Sequence, residues 1–185
     1  MNASAIDFSE LGVMIVDDNH HMRSLLSSIL QALGIKRLQE AADGETALKE
    51  IGAFGPDILI TDWHMEPMDG TILVKAIRQS AEESVRYVPI IMLSGHSEMD
   101  KVRAARDCGV NEFLAKPVTA KSLLARLLTV IETPRSFIKT EQYFGPDRRR
   151  QDIGPPDGQD DRRAEASTAP SRAAPDAAPE EASAG

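Results

Sequence analysis

Asp17 and Asp18 close one apolar run, Leu11–Val16, and Asp62 closes another, Ile58–Thr61. Ser94 ends a third (PIIMLS), and Lys116 follows a fourth (VNEFLAK). If these run ends meet in space, three carboxylates share one place with an ammonium and a hydroxyl. Crowded carboxylates raise one another's pKa unless a cation compensates. A hard divalent ion such as Mg²⁺ does so, because it prefers oxygen and binds through one or two carboxylates plus phosphate oxygens. The residue types point to Mg²⁺-assisted phosphoryl chemistry on a carboxylate. Each also has a plainer reading, with the aspartates and Ser94 as caps or turn residues and Lys116 as a solvated charge.

The elements around them decide between these readings. Leu11–Val16 is a near-continuous β run. Met22, Leu25, Leu26, Ile29, Leu30 and Leu33 then follow the spacing of one helical face, stopped by Gly34. A weaker strand at Leu38–Ala41 leads to a helix from about Glu45 to Ala53, with Ala47, Leu48 and Ile51 inward. Ile58–Thr61 is a strand, followed by a helix marked by Ile72, Leu73, Ala76 and Ile77. Pro89–Leu93 is another strand, Ser97–Cys108 a weakly apolar helix, and Val110–Leu114 a fifth strand. Leu123, Leu124, Leu127, Leu128 and Ile131 give the last helix a strong stripe. Strands apolar on both sides and joined by helices predict an α/β fold, a parallel sheet covered on both faces. Ligands of such sheets bind beyond the carboxyl ends of the strands, at the switch point of the strand order. All five polar residues fall at that one edge, so the plainer readings lose jointly.

Composition sets the limits. The 185 residues carry a net charge of −8, which argues against nonspecific nucleic-acid affinity. One cysteine, Cys108, excludes an internal disulfide framework and reads as a small buried residue on a helix. No signal peptide, spanning segment or lipidation motif is evident, so a cytoplasmic protein without membrane contact is expected. Composition shifts near Glu132–Pro134, and seven of the 11 prolines lie after Glu132. Residues 1–10 read as an N-terminal arm, 11–132 as the folded domain, and 133–185 as a Pro/Ala-rich, mostly disordered tail.

The segments VDD (16–18), TDWHMEPMDG (61–70), MLSG (92–95) and FLAKP (113–117) resemble the four motifs of the response-regulator receiver domain. The resemblance spans about residues 11–131 and implies a doubly wound, flavodoxin-like sheet. It implies that Asp62 is the phosphoacceptor, with a histidine kinase, a histidine phosphotransfer protein or a small phosphodonor as the source. By the same resemblance Asp18 ligates Mg²⁺ directly, Asp17 acts mainly through water, and Asp62 and the backbone carbonyl of His64 complete the protein ligands. Lys116 pairs with the phosphoryl oxygens, Ser94 hydrogen-bonds one of them, and Lys116-Pro117 is a cis peptide. Phe113 takes the family's aromatic switch position, without the hydroxyl a tyrosine would bring. The His64 side chain borders the site rather than ligating, because Mg²⁺ disfavours imidazole. His20 and His21 are solvated in the first helical turn. The proline after Asp62 stands one position later than usual, at Pro67, and Ala81–Tyr87 makes a long connection.

No helix-turn-helix, GGDEF-like or ATPase segment follows Glu132, so a stand-alone receiver acting on a downstream protein target is expected, with a phosphorylation-dependent homodimer as a further partner. The segment 134–150 has Phe137, Ile138, Tyr143 and Phe144 ahead of Arg148, Arg149 and Arg150. It reads either as a linear motif that folds on a partner or as a solvated linker. Two other classes compete with the receiver reading. A phosphorylation-independent adaptor would need a degenerate site. A Mg²⁺-dependent aspartyl-phosphate phosphatase would need D-x-D after the first strand, whereas Asp17 and Asp18 are adjacent.

Overall fold

The computed structural model describes residues 7–95, 108–140 and 143–147. Its centre is a five-stranded parallel sheet in the order β2-β1-β3-β4-β5. The strands are β1 (Gly12–Val16), β2 (Arg37–Ala41), β3 (Ile58–Asp62), β4 (Ile90–Ser94) and β5 (Glu112–Ala115). The helices are α1 (His20–Ala32), α2 (Gly44–Phe54), α3 (Gly70–Arg78), the single turn α4 (Glu83–Arg86) and α5 (Ala120–Glu132). This is the doubly wound α/β architecture expected from the alternation.

Side chains alternate along each strand, so the sheet feeds two cores. Val13 and Ile15 point to one, with Leu26 and Leu30 of α1 and Leu123 and Leu127 of α5. Met14 and Val16 point to the other, with Ala47 and Ile51 of α2 and Leu73, Val74 and Ile77 of α3. All five residues of β1, β3 and β4 are buried, as central parallel strands require. Burying both faces of the sheet drives assembly. It also fixes register, because a one-residue slip would turn each apolar set to the wrong face.

Side-chain caps place the helices. Asn19 accepts from the N–H groups of His21 and Met22 at 2.9 and 3.3 Å, Asp43 from Thr46 at 2.7 Å, and Asp69 from Thr71 at 2.8 Å. Gly55 ends α2 in the left-handed region at φ +58°, where a Cβ would be strained.

The structure corrects several expectations. The long connection Ala81–Tyr87 contains the turn of helix α4, whose Val85 is buried. Cys108 is buried as expected, but it lies in the turn before β5 rather than on a helix. The expected helix from Ser97 to Cys108 otherwise falls outside the described residues, as do Arg148, Arg149 and Arg150.

The largest correction concerns the domain's end. Beyond residue 132, β6 (Phe137–Lys139) and β7 (Phe144–Pro146) pair antiparallel, Phe137 opposite Pro146 and Lys139 opposite Phe144. Phe137 and Phe144 pack on Tyr87, with ring centroids 4.9 and 5.2 Å away. Arg78 lies 5.1 Å from the Phe137 ring and Arg86 5.3 Å from that of Phe144. Phe137 and Phe144 are therefore seated on their own domain rather than presented as free anchors. Tyr143 donates its hydroxyl to the Pro146 carbonyl at 2.9 Å, inside the same hairpin. Composition alone missed this, because an aromatic hairpin needs only a local platform and not a core of its own.

Candidate functional site

Strand order reverses between β1 and β3, the chain running outward from β1 to β2 and then back across to β3. At the carboxyl ends of those two strands the carboxylates of Asp17, Asp18 and Asp62 converge, with one oxygen of each within 4.8 Å of the others. Lys116 enters from beyond β5. Its Nζ lies 2.8 Å from Asp62 Oδ1 and 3.5 Å from Asp17 Oδ2. Ser94, fully buried, ends the neighbouring strand, and the Lys116 N–H donates to its carbonyl at 2.8 Å. Five residues spread over a hundred positions of sequence thus share one strand edge.

The aspartates differ sharply in environment. Asp17 is wholly buried, whereas Asp18 faces solvent. Oδ1 of Asp17 accepts from the Asn19 N–H at 2.8 Å, so the residue that caps α1 also orients the carboxylate. Arg23 on the first turns of α1 donates to the Asp17 carbonyl at 2.7 Å. Among the described residues, Oδ2 of Asp17 accepts no hydrogen bond. Burial raises the Asp17 pKa above the ordinary carboxylate value. The Asn19 hydrogen bond and Lys116 oppose that rise, while Asp62 and Asp18 add to it. The site has more negative charge than Lys116 can balance. A buried carboxylate oxygen without a hydrogen bond, among three converging acids, is the environment a hard cation fits.

The loop after β3 is held closely. The Gly70 N–H donates to the Trp63 carbonyl at 2.8 Å, and a Cβ at residue 70 would stand 2.0 Å from the Asp62 carbonyl oxygen. Only glycine fits there, which matches the G of TDWHMEPMDG. The peptides Glu66-Pro67 and Lys116-Pro117 are both cis, the second as the motif implied. The exposed His64 ring has its Nδ1 3.4 Å from Asp69 Oδ2, the cap of α3. His20 and His21 are exposed in the first turn of α1. Phe113 is half-buried on β5, tilted against Trp63 with centroids 6.3 Å apart.

Two further residues shape the site. Trp63, the chain's single tryptophan, follows Asp62 and is buried between the acidic cluster's strand and Phe113. Asn19 was legible as a helix cap directly after the aspartate pair, but its bond to Asp17 was not.

Residues 13–128 match the response regulator receiver domain family. The chain belongs to that family. Its receiver domain is 35% identical over 120 residues to the chemotaxis protein CheY of Pseudomonas aeruginosa, an overlap covering 65% of this chain and 95% of the relative. CheY-3 of Vibrio cholerae is 35% identical over 128 residues, covering 69% and 97%. Among solved structures, the chemotaxis response regulator CheY4 of Vibrio cholerae matches the receiver with a TM-score of 0.60 at 32% identity, over 65% of this chain and 98% of that one. The receiver domain of a sensor histidine kinase from Pseudomonas aeruginosa, solved with magnesium coordinated in its active site cleft, matches with a TM-score of 0.60 at 28% identity, over 66% and 98%. The receiver is thus that of a CheY-like response regulator, with an acidic site compatible with phosphorylation. The family match ends before β6, so the hairpin lies outside it. Among the described residues no helix is long and apolar enough to cross a membrane.

Proposed function

We propose that the protein is a phosphorelay response regulator in which Asp62 accepts a phosphoryl group and thereby switches a protein-binding surface. The observation that carries this reading is the placement of Lys116 Nζ 2.8 Å from Asp62 Oδ1 and 3.5 Å from the buried Asp17 Oδ2. A carboxylate oxygen of Asp62 attacks phosphorus, forming an acyl phosphate as the bond to the donor's nitrogen or oxygen breaks and the leaving group takes the electron pair. Lys116 supplies a point charge to the transferred oxygens, without the bidentate geometry that an arginine would impose. The Ser94 hydroxyl, on the adjacent strand, donates to one of those oxygens.

Asp18 and Asp62 would hold Mg²⁺ directly, Asp17 through water, and the His64 carbonyl would add a further oxygen. Bound there, Mg²⁺ neutralises the charge on the in-line phosphoryl group and orients it. A relative solved with magnesium coordinated in its active site cleft supports a magnesium site here. The donor is a sensor histidine kinase or a histidine phosphotransfer protein. Phosphorylation selects one arrangement of Ser94 and Phe113, and a downstream protein reads it. Such a protein is a switch rather than a turnover enzyme, and the family assignment favours it over the aspartyl-phosphate phosphatase.

The test is incubation with Mg²⁺ and acetyl phosphate followed by a phosphate-retarding gel. A slow band lost in Asp62→Asn supports the reading. No slow band with any donor contradicts it.

A further inference from the structure

The strands β4 and β5 are clasped at both ends. At the carboxyl ends stand Ser94 and Lys116, where one ligand would touch both strands. At the amino ends the Asn111 N–H donates to the Ile90 carbonyl at 2.9 Å, and Asn111 Oδ1 accepts from the Ile90 N–H at 3.0 Å and from Arg78 at 3.1 Å. Arg78, 4% exposed, also donates to the carbonyls of Gly109, Arg86 and Val88.

The β6–β7 hairpin closes over this hub. The Phe137 ring covers the Arg78 guanidinium, and Gly145 passes so close that a Cβ there would lie 2.9 Å from the Gly109 Cα. Arg135, leading into the hairpin, places Nη2 2.7 Å from Glu112 Oε1, while Arg126 of α5 stands 3.4 Å from Oε2. The Glu112 side chain is only 8% exposed and that of Arg135 26%, so the carboxylate end of this pair is shielded from solvent.

Glu112 is the first residue of β5, and Phe113 is the second. This strand has four residues and, among the described residues, pairs only with β4, at the edge of the sheet. Fixing so short an edge strand costs conformational entropy. An anchor at one end lowers the cost of anchoring the other, which couples the two ends without a large displacement.

We propose that the C-terminal hairpin is a built-in effector of the phosphoryl site: its docking through Arg135 and Glu112, and loading of the Asp62 site, favour each other through β4 and β5. Arg135 acts as a positioning residue in this scheme. The proposal rests on the phosphoacceptor reading of Asp62. Thermodynamic linkage makes the effect reciprocal, with one factor in both directions.

The experiment uses the full chain with Mg²⁺ and beryllofluoride as the acyl-phosphate mimic. Hydrogen exchange of the Thr140 and Asp147 amides, which bond to the Tyr143 and Ser136 carbonyls, reads hairpin docking. Loading should slow their exchange about fivefold. In Arg135→Gln, half-loading should require about fivefold more beryllofluoride. Unchanged or faster exchange in a chain that takes phosphate from acetyl phosphate overturns the proposal and leaves the Asp62 reading standing. A chain that takes no phosphate overturns both. The exchange arm needs no variant, so a misfolded Arg135→Gln does not remove the test.

Discussion

The ring of Trp63 lies 6.3 Å from that of Phe113, the two tilted by 38°. One follows Asp62 directly in sequence, and the other stands three residues before Lys116. The pair therefore joins the two strands that lead to Asp62 and Lys116. Because Trp63 is the chain's single tryptophan, its emission is a site-specific reporter. Adding Mg²⁺ should change that emission in a saturable way, and Asp18→Asn should move the half-point to much higher Mg²⁺. A titration in which the wild type and Asp18→Asn respond alike would remove Asp18 from the metal site.

The burial of Asp17 sets a pH dependence. Its pKa is raised in the folded protein, chiefly by desolvation. The native state therefore holds this proton more tightly than the unfolded chain does. The group's contribution to stability then falls as pH rises from the ordinary carboxylate value up through the raised one. Relative to Asp17→Asn, the metal-free wild type should lose thermal stability over that interval, and Mg²⁺ at neutral pH should restore it. Asp17→Asn should raise the metal-free melting temperature by a few degrees, the shift that about 1 kcal/mol produces in a domain of this size, and abolish the Mg²⁺ effect. Thermal scans with and without Mg²⁺ check both.

Gly70→Ala places a methyl group 2.0 Å from the Asp62 carbonyl oxygen and 3.2 Å from that of Trp63. Both obstacles are backbone, so the β3–α3 loop itself must shift. Destabilisation of roughly 1–3 kcal/mol is expected, together with slower phosphorylation by acetyl phosphate. Chemical denaturation measures the first effect and a gel time course the second. Wild-type rates in Gly70→Ala would show that this close approach does not position Asp62.

How far the sequence carried the fold is visible residue by residue. The apolar runs ending at Val16 and Thr61 and the stripe from Leu123 to Ile131 were legible because long, strongly periodic segments bury predictable faces. The convergence of Asp17, Asp18, Asp62, Ser94 and Lys116 was legible because parallel βα units send every strand end to one edge. Arg78 was not legible. A basic residue in the last helical turn ordinarily caps in solvent, and here the hairpin and the turn at Gly109 bury it. The hairpin escaped notice for the same reason: its stability comes from Tyr87, Arg78 and Arg86, none of which is near it in sequence.

Arg78 offers a direct check on that hub. Burial lowers its pKa to about 10, so it remains charged at neutral pH. Arg78→Met removes the donors to Gly109, Arg86 and Val88 and to Asn111. The orphaned acceptors should cost roughly 3–5 kcal/mol in urea unfolding. Phe144→Ala should cost less, about 1–2 kcal/mol, by removing one ring from the cluster with Tyr87 and Phe137. Equal stabilities of Phe144→Ala and wild type would mean the hairpin adds nothing to the fold.

The most direct measurement of the central claim is the intact mass of the protein after incubation with acetyl phosphate, with and without Mg²⁺. The wild type should gain one phosphoryl group only when Mg²⁺ is present, Lys116→Ala should gain it far more slowly or not at all, and Asp62→Asn should gain none. A wild-type chain that stays unmodified, or an Asp62→Asn chain that is modified equally, would contradict the account.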